Sequence, residues 1–256
     1  LDYLLYAHLQ KGEDAAAAHV LADVEIIKPP YSELNRTASA YAFSALPARY
    51  ALELHDWNAA AQLIPRTPSS FPWVKEHDPF VANTHFARAL ALSHLGRPDD
   101  ADADIAALHG LRISIAENDA YWAKQVEIQE VSARAWQAYA RSQVDDGLNL
   151  MKEAAALEAS TEKHAVTPGE VSPASEMYGD MLRETGHYQE ALAAYHVSLK
   201  RAPGRYNSLY GAAKASLSMG NKDMATDYFN QLLKNAGGSS QTRAPIEEAR
   251  AYISAL

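Results

Sequence analysis

Apolar and polar positions follow a helical period along this chain, and that pattern itself recurs. The clearest stretch is C-terminal, where YGDMLRETGHYQEALAAYHVSLKRAP aligns with GAAKASLSMGNKDMATDYFNQLLKNA. Gly186 falls over Gly220, Ala191 over Ala225, Tyr195 over Phe229 and Leu199 over Leu233, each pair 34 residues apart. The spacing predicts pairs of antiparallel helices. Glycine stands where the first helix stops and the backbone turns left-handed. Alanine stands where the two helices cross most closely, and an aromatic ring fills the space one turn later. Pro203 ends the second helix. The same frame runs backwards through Gly12 with Ala17, His55 with Ala60, Gly96 with Ala101 and Ser142 with Gly147. The crossing positions 17, 60, 101, 147, 191 and 225 lie 43, 41, 46, 44 and 34 residues apart. Hairpins are therefore predicted near 1–28, 37–64, 79–109, 119–159, 172–202 and 206–235. A closing helix follows over 243–256, with Pro245 in its first turn. Such a stack grows as one domain, so 1–256 is read as a single unit.

Two stretches interrupt the pattern. PRTPSSFPWVKEHDP, residues 65–79, holds four prolines and cannot be regular helix. It is expected to leave the stack as a loop, with Asp78 and Pro79 as N-cap and first-turn residue of the next helix. STEKHAVTPGEVS, residues 160–172, is a second irregular stretch, and Ser172-Pro173 opens the helix after it in the same way. Connections of this length in compact repeats are often functional.

The 34-residue period and its residue types resemble the tetratricopeptide repeat. That resemblance implies an all-α fold, a right-handed α-solenoid of about six tetratricopeptide-like hairpins plus a C-terminal capping helix. LDYLLYAHLQ, ARYALELHDW, THFARALA, YWAKQVEIQE and TEKHAVTPG further resemble one group of bacterial tetratricopeptide proteins. This second resemblance implies an exported protein with more helical repeats upstream. The chain would be its C-terminal portion, and its N-terminal edge would pack on preceding helices. Ala165 stands where that group has proline, which loosens the loop.

Composition narrows the function classes. Net charge is −9, which argues against a general nucleic-acid binder, since that needs a basic face. The chain has no cysteine, so disulfides, thiolate metal sites and a cysteine nucleophile are excluded. No apolar run reaches the ~18–20 residues of a membrane span. Export is expected only through the resemblance, and a cytoplasmic protein fits the composition equally.

In this architecture the first helix of each hairpin lines the concave face. On the helix predicted from Asp119 to Arg141, Ile128, Val131, Ala135 and Ala138 form the stripe that must pack. Gln125, Gln129, Ser132, Trp136 and Tyr139 form a second line at steps of four, three, four and three, which is one helical face. Amides, a hydroxyl and aromatics together suit contact with a peptide or small molecule. The alternative is that Trp136 and Tyr139 pack under a neighbouring helix. The same frame turns Arg49, Asn83, Phe86, Arg183, Tyr210 and Lys214 toward the groove. The three cations would make a basic trough for a carboxylate or acidic peptide, or else a surface laced with local ion pairs. The Lys/Asn set of the peptide-carboxylate clamp known in some tetratricopeptide domains is not found at the matching positions.

Catalytic signatures are missing: there is no phosphate-cradling glycine loop, no HExxH and no nucleophile elbow. Asp99, Asp100, Asp102 and Asp104 read as acids in a helix's first turns, where the dipole favours them. His85, Glu162 and His164 would form a metal site only if they converged. No catalytic residue, cofactor or metal is assigned. The expected function is a non-enzymatic scaffold that binds a protein or peptide in its groove. The alternative is a small-molecule or metal-binding protein, part of a larger enzyme, with its site between the long loops and the groove. Self-association through the N-terminal end is a third expectation.

Overall fold

The computed structural model describes residues 1–29, 31, 35–163, 167, 169–237 and 243–256. Among these residues there are thirteen α-helices and no strand. The helices are α1 (Asp2–Gln10), α2 (Asp14–Glu25), α3 (Arg36–Glu53), α4 (Trp57–Ala61), α5 (Asp78–His94), α6 (Asp102–Ala116) and α7 (Ala120–Ala140). They continue as α8 (Val144–Ala159), α9 (Ala174–Glu184), α10 (Tyr188–Arg201), α11 (Tyr206–Ser218), α12 (Lys222–Ala236) and α13 (Ala244–Ser254). Helices adjacent in sequence pack on one another from α3 to α8 and again from α10 to α13, the construction of an all-α solenoid.

The turns fall where the residue pattern put them. Gly12, His55, Gly96, Ser142, Gly186 and Gly220 all have positive φ, between 53° and 83°. Two of these are not glycine, and His55 and Ser142 carry the left-handed backbone with a side chain attached. Each crossing residue is buried: Ala17, Ala60, Ala101, Gly147, Ala191 and Ala225. At Gly147 the reason is explicit, since a Cβ there would stand 3.0 Å from the carbonyl oxygen of Ala135.

The contacts divide the chain into two compact units. One comprises residues 1–3 and 19–174, the other residues 4–18 and 175–256.

In the first unit α3, α5 and α7 pack on one another, and α4, α6 and α8 pack back on them. Leu46, Leu90, Leu108 and Met151 are fully buried in its core. Buried carboxylates tie the layers together. Asp104 accepts from Arg88 at 3.0 Å and bonds His85 Nδ1 at 2.7 Å, and Glu130 accepts from Arg112 at 2.6 Å. Asp102 and Asp99 both take Arg141. The acidic run at 99–104 is thus a set of ion-pair partners. Asp119 caps α7, its carboxylate accepting from the Trp122 amide at 3.0 Å. Asp78 does not cap α5 as expected. His77 is the N-cap residue, and the Asp78 carboxylate takes Arg66 at 2.6 Å instead. Ser172 does not open α9 either, because the Ala174 amide donates to Glu158 Oε1 at 2.6 Å. The proline-rich stretch is irregular, as predicted, but it is anchored. Phe71 is buried edge-on against Tyr31, Phe43 and Trp73.

In the second unit a buried ion pair joins α9 to the start of α11. Arg205 donates to both oxygens of Glu176 at 2.8 Å, and Ser208 donates to the same carboxylate. This bidentate geometry satisfies both charges, which burial requires. The turn between α1 and α2 packs on α11 and α13. Gln10 accepts from the Tyr206 amide at 2.7 Å, Asp14 pairs with Arg243, and a Cβ on Gly12 would stand 2.7 Å from Ile246.

One carboxylate here is out of place energetically. Burial, with Glu176 adding to it, pushes the Asp180 carboxyl up to about 7, although it accepts a 2.7 Å hydrogen bond from Tyr195. The unfolded carboxyl ionises near 3.8. Stability is therefore unaffected below that pH and falls as pH rises toward 7. Asp180→Asn keeps the acceptor and removes the charge. Allowing for partial solvation, it should stabilise the protein by about 2 kcal/mol at pH 8. Urea unfolding at pH 8 and pH 4 checks this, with the gain vanishing at the lower pH.

Candidate functional site

The first half of the α7 stripe lines a recess within the first unit. Trp122, Gln125, Gln129 and Ser132 follow one another at helical steps of three, four and three. Opposite them stand Tyr41 from α3 and Asn83 and Phe86 from α5. Residues 169–172, which precede α9, close the remaining side. Together they line a partly open cavity of about 50 Å³ within the first unit.

Three polar atoms along this wall have no hydrogen-bond partner among the described residues: Gln125 Nε2, Gln129 Oε1 and Ser132 Oγ, each shielded from solvent. The Gln129 amide is oriented, because its Nε2 donates to Asn83 Oδ1 at 2.8 Å. Ser132 is wholly buried. Other buried helical serines bond back to the carbonyl four residues earlier, Ser93 to Ala89 at 2.9 Å and Ser216 to Ala212 at 2.8 Å. Ser132 makes no such bond. Unmade bonds on buried groups cost roughly 1–3 kcal/mol each, so three of them lining one cavity mark it out from ordinary core. Aromatic rings from Tyr41, Phe86, Tyr121 and Trp122 supply the rest of the wall. Burial pushes the Tyr41 hydroxyl up to about 12, so it stays a neutral donor at any physiological pH.

Arg49 does not face a groove. It is fully buried in α3 and acts as a strut beneath the closing segment. Its Nη1 donates to the Glu170 carbonyl at 2.9 Å, Nη2 to the Gly169 carbonyl at 3.0 Å and Nε to Asp2 at 3.1 Å. Burial works against its charge, but Asp2, Tyr41 and Glu53 outweigh that and hold its pKa above the usual value. A guanidinium has five donors, and a loop that folds inward supplies carbonyls to meet them.

The other predicted residues divide between the two units. Asn83, Phe86, Gln125 and Gln129 meet at the cavity with Ser132. Trp136 is instead buried against His94, with ring centroids 4.2 Å apart, and Tyr139 stands edge-on to it at 5.5 Å. Trp136 thus packs under a neighbouring helix. Tyr210 and Lys214 belong to the second unit, where Glu248 of α13 binds both, at 2.5 and 2.6 Å. Arg183 Nε lies 3.4 Å from the Tyr195 hydroxyl. Arg49 and Lys214 are therefore ion-paired internally and Arg183 is hydrogen-bonded, which leaves no basic trough built from these three. His85 is engaged by Asp104, Glu162 is exposed, and His164 lies outside the described residues. No cluster of three metal-ligating side chains occurs among the described residues.

Tyr41 and Trp122 were not among the residues expected at a site, whereas residues 169–172 belong to the 160–172 connection expected to border one. Trp122 carried a signal, since it continues the Gln125–Ser132 line one step toward the start of α7. The proline-rich stretch lines a separate, apolar cavity of about 280 Å³ with Phe43, Leu63 and Ile64. No helix is long and apolar enough to cross a membrane among the described residues. No family model matches the chain, and no curated protein matches it.

Proposed function

We propose that this chain is a tetratricopeptide-type binding scaffold that captures a peptide segment of a protein partner and makes no covalent change to it. The resemblance in sequence adds that it works as part of an exported bacterial protein. The cavity beside α7 supports this reading: three unmade hydrogen bonds on one wall line an aromatic-walled recess. A segment of the partner would lay one side chain into the recess, against a wall that Arg49 and Asp104 keep rigid. Pre-organised walls of this kind lower the entropy cost of capture.

Selection of peptides from a displayed random library on the purified chain tests the proposal. Selected peptides should lose at least about tenfold in affinity for Ser132→Leu, which fills the recess, and for Gln125→Met, which removes a donor. Circular dichroism verifies that both variants stay folded. Binding undiminished in both variants, or a library that yields no binder, rejects the peptide-capture reading.

A further inference from the structure

We infer that the α7 cavity selects a primary carboxamide, so that the captured segment presents an asparagine or glutamine side chain there; this rests on the peptide-capture reading and names the group its site recognises. Size comes first. A water-sized group needs roughly 10–15 Å³ of such space, so a cavity of about 50 Å³ accepts three or four heavy atoms. That is the head of a carboxamide and the carbon that bears it. An indole or a phenol is too large.

Hydrogen-bond polarity comes second. Gln125 Nε2 is a donor in need of an acceptor, Gln129 Oε1 is an acceptor in need of a donor, and Ser132 Oγ serves as either. A carboxamide offers one carbonyl and one NH₂, and so answers both glutamines at once. A carboxylate offers acceptors alone and would set an oxygen against Gln129 Oε1. An ammonium offers donors alone and would leave Gln125 unanswered. Charge is the third consideration. Among the described residues that line the cavity there is no lysine, arginine or histidine, and Glu170 is the one carboxylate. The nearby cation, Arg49, is spent on Asp2 and on the carbonyls of 169 and 170. No cation lines it among the described residues, and a neutral group avoids the desolvation cost of either charge. The flat rings of Phe86 and Trp122 are among the lining and offer apolar faces to a planar amide.

Acetamide, acetate and acetone separate these alternatives, since all three have four heavy atoms and nearly one shape. Their binding to the full chain can be followed through the side-chain NH₂ resonances of Gln125 and Gln129 in ¹⁵N-labelled protein. Acetamide should give saturable shifts and bind at least about tenfold tighter than the other two, because each of them leaves a buried partner unmet. Ser132→Val and Gln129→Met should each weaken acetamide about tenfold. Equal binding of the three probes, no saturable shift from any of them, or an acetamide response unchanged in both variants overturns the inference. The first two of those results would mean that ordered water alone serves the polar wall. Peptides captured at this site without any asparagine or glutamine preference would overturn the carboxamide while sparing the scaffold. Tight acetamide binding with no peptide captured would do the reverse.

Discussion

Gly211→Ala should destabilise the unit formed by residues 4–18 and 175–256 by about 3 kcal/mol, at the upper end of overpacking costs. The expected sign is the reverse of the usual one, because alanine in place of glycine inside a free helix gains about 1 kcal/mol. The cause is Tyr195, whose fully buried ring passes between two glycines. A Cβ on Gly211 of α11 would overlap the ring carbons and stand 2.6 Å from the hydroxyl. A Cβ on Gly179 of α9 would lie 2.7 Å from the ring. The ring cannot step aside, because its hydroxyl donates to Asp180 at 2.7 Å and Arg183 holds it from the other side. Urea unfolding measures the loss. Adding Tyr195→Leu to Gly211→Ala should restore part of it, so the two changes should be strongly non-additive. Gly110→Ala is the control, since nothing lies within 4 Å of a Cβ there, and it should stabilise. A Gly211→Ala protein as stable as the parent would show that Tyr195 does not require the gap.

Acid should weaken the other unit through one histidine. His94 lies between Trp57 and Trp136, with ring centroids at 4.0 and 4.2 Å. Burial, with the neighbouring His55 adding to it, pulls its pKa down from 6.5 to about 4. The unfolded chain takes up a proton near pH 6.5 while the folded ring refuses it until about pH 4. Stability is therefore fully present above 6.5 and is lost as pH falls through that window. At 1.36 kcal/mol per pH unit the loss is about 2 kcal/mol by pH 5 and about 3 kcal/mol by pH 4. His94→Phe keeps a ring in the stack and removes the proton site. The parent should lose about 2 kcal/mol more than this variant between pH 7 and pH 5. Asp180 works in the opposite direction over the same range, so the comparison is cleanest with Asp180→Asn in both proteins. Parallel pH profiles for parent and His94→Phe would rule the histidine out.

The hairpins were legible because their rules are local. A left-handed turn and a close helix crossing each demand a residue type at one position, so Gly186, Ala191 and their equivalents mark themselves. His55 and Ser142 break the residue rule yet keep the backbone, and only the frame around them identifies their turns. The first part of the α7 stripe was equally legible, since helical geometry alone puts Gln125, Gln129 and Ser132 in line. What failed was the step from face to environment. Arg49 sits on an inner helix, and nothing local reveals that residues 169 and 170 fold back over it and offer their carbonyls. Trp136 shares a face with Gln129, yet His94 rises from α5 to meet it. Such encounters depend on how far an irregular segment or a neighbouring helix reaches, which no linear period encodes. The ion pairs of Asp104 and Glu130 escaped for the same reason.

The junction of Gln10 and Asp14 with Tyr206 and Arg243 has a bearing on how the molecule is made. These partners lie 196 and 229 residues apart in sequence, so the α1–α2 turn leaves the ribosome long before its counterpart exists. Closing so wide a gap costs chain entropy that no local contact returns. This clasp must then be among the last contacts to form during synthesis. Until it does, the apolar side of α1, with Leu5 and Leu9, stays open to chaperones.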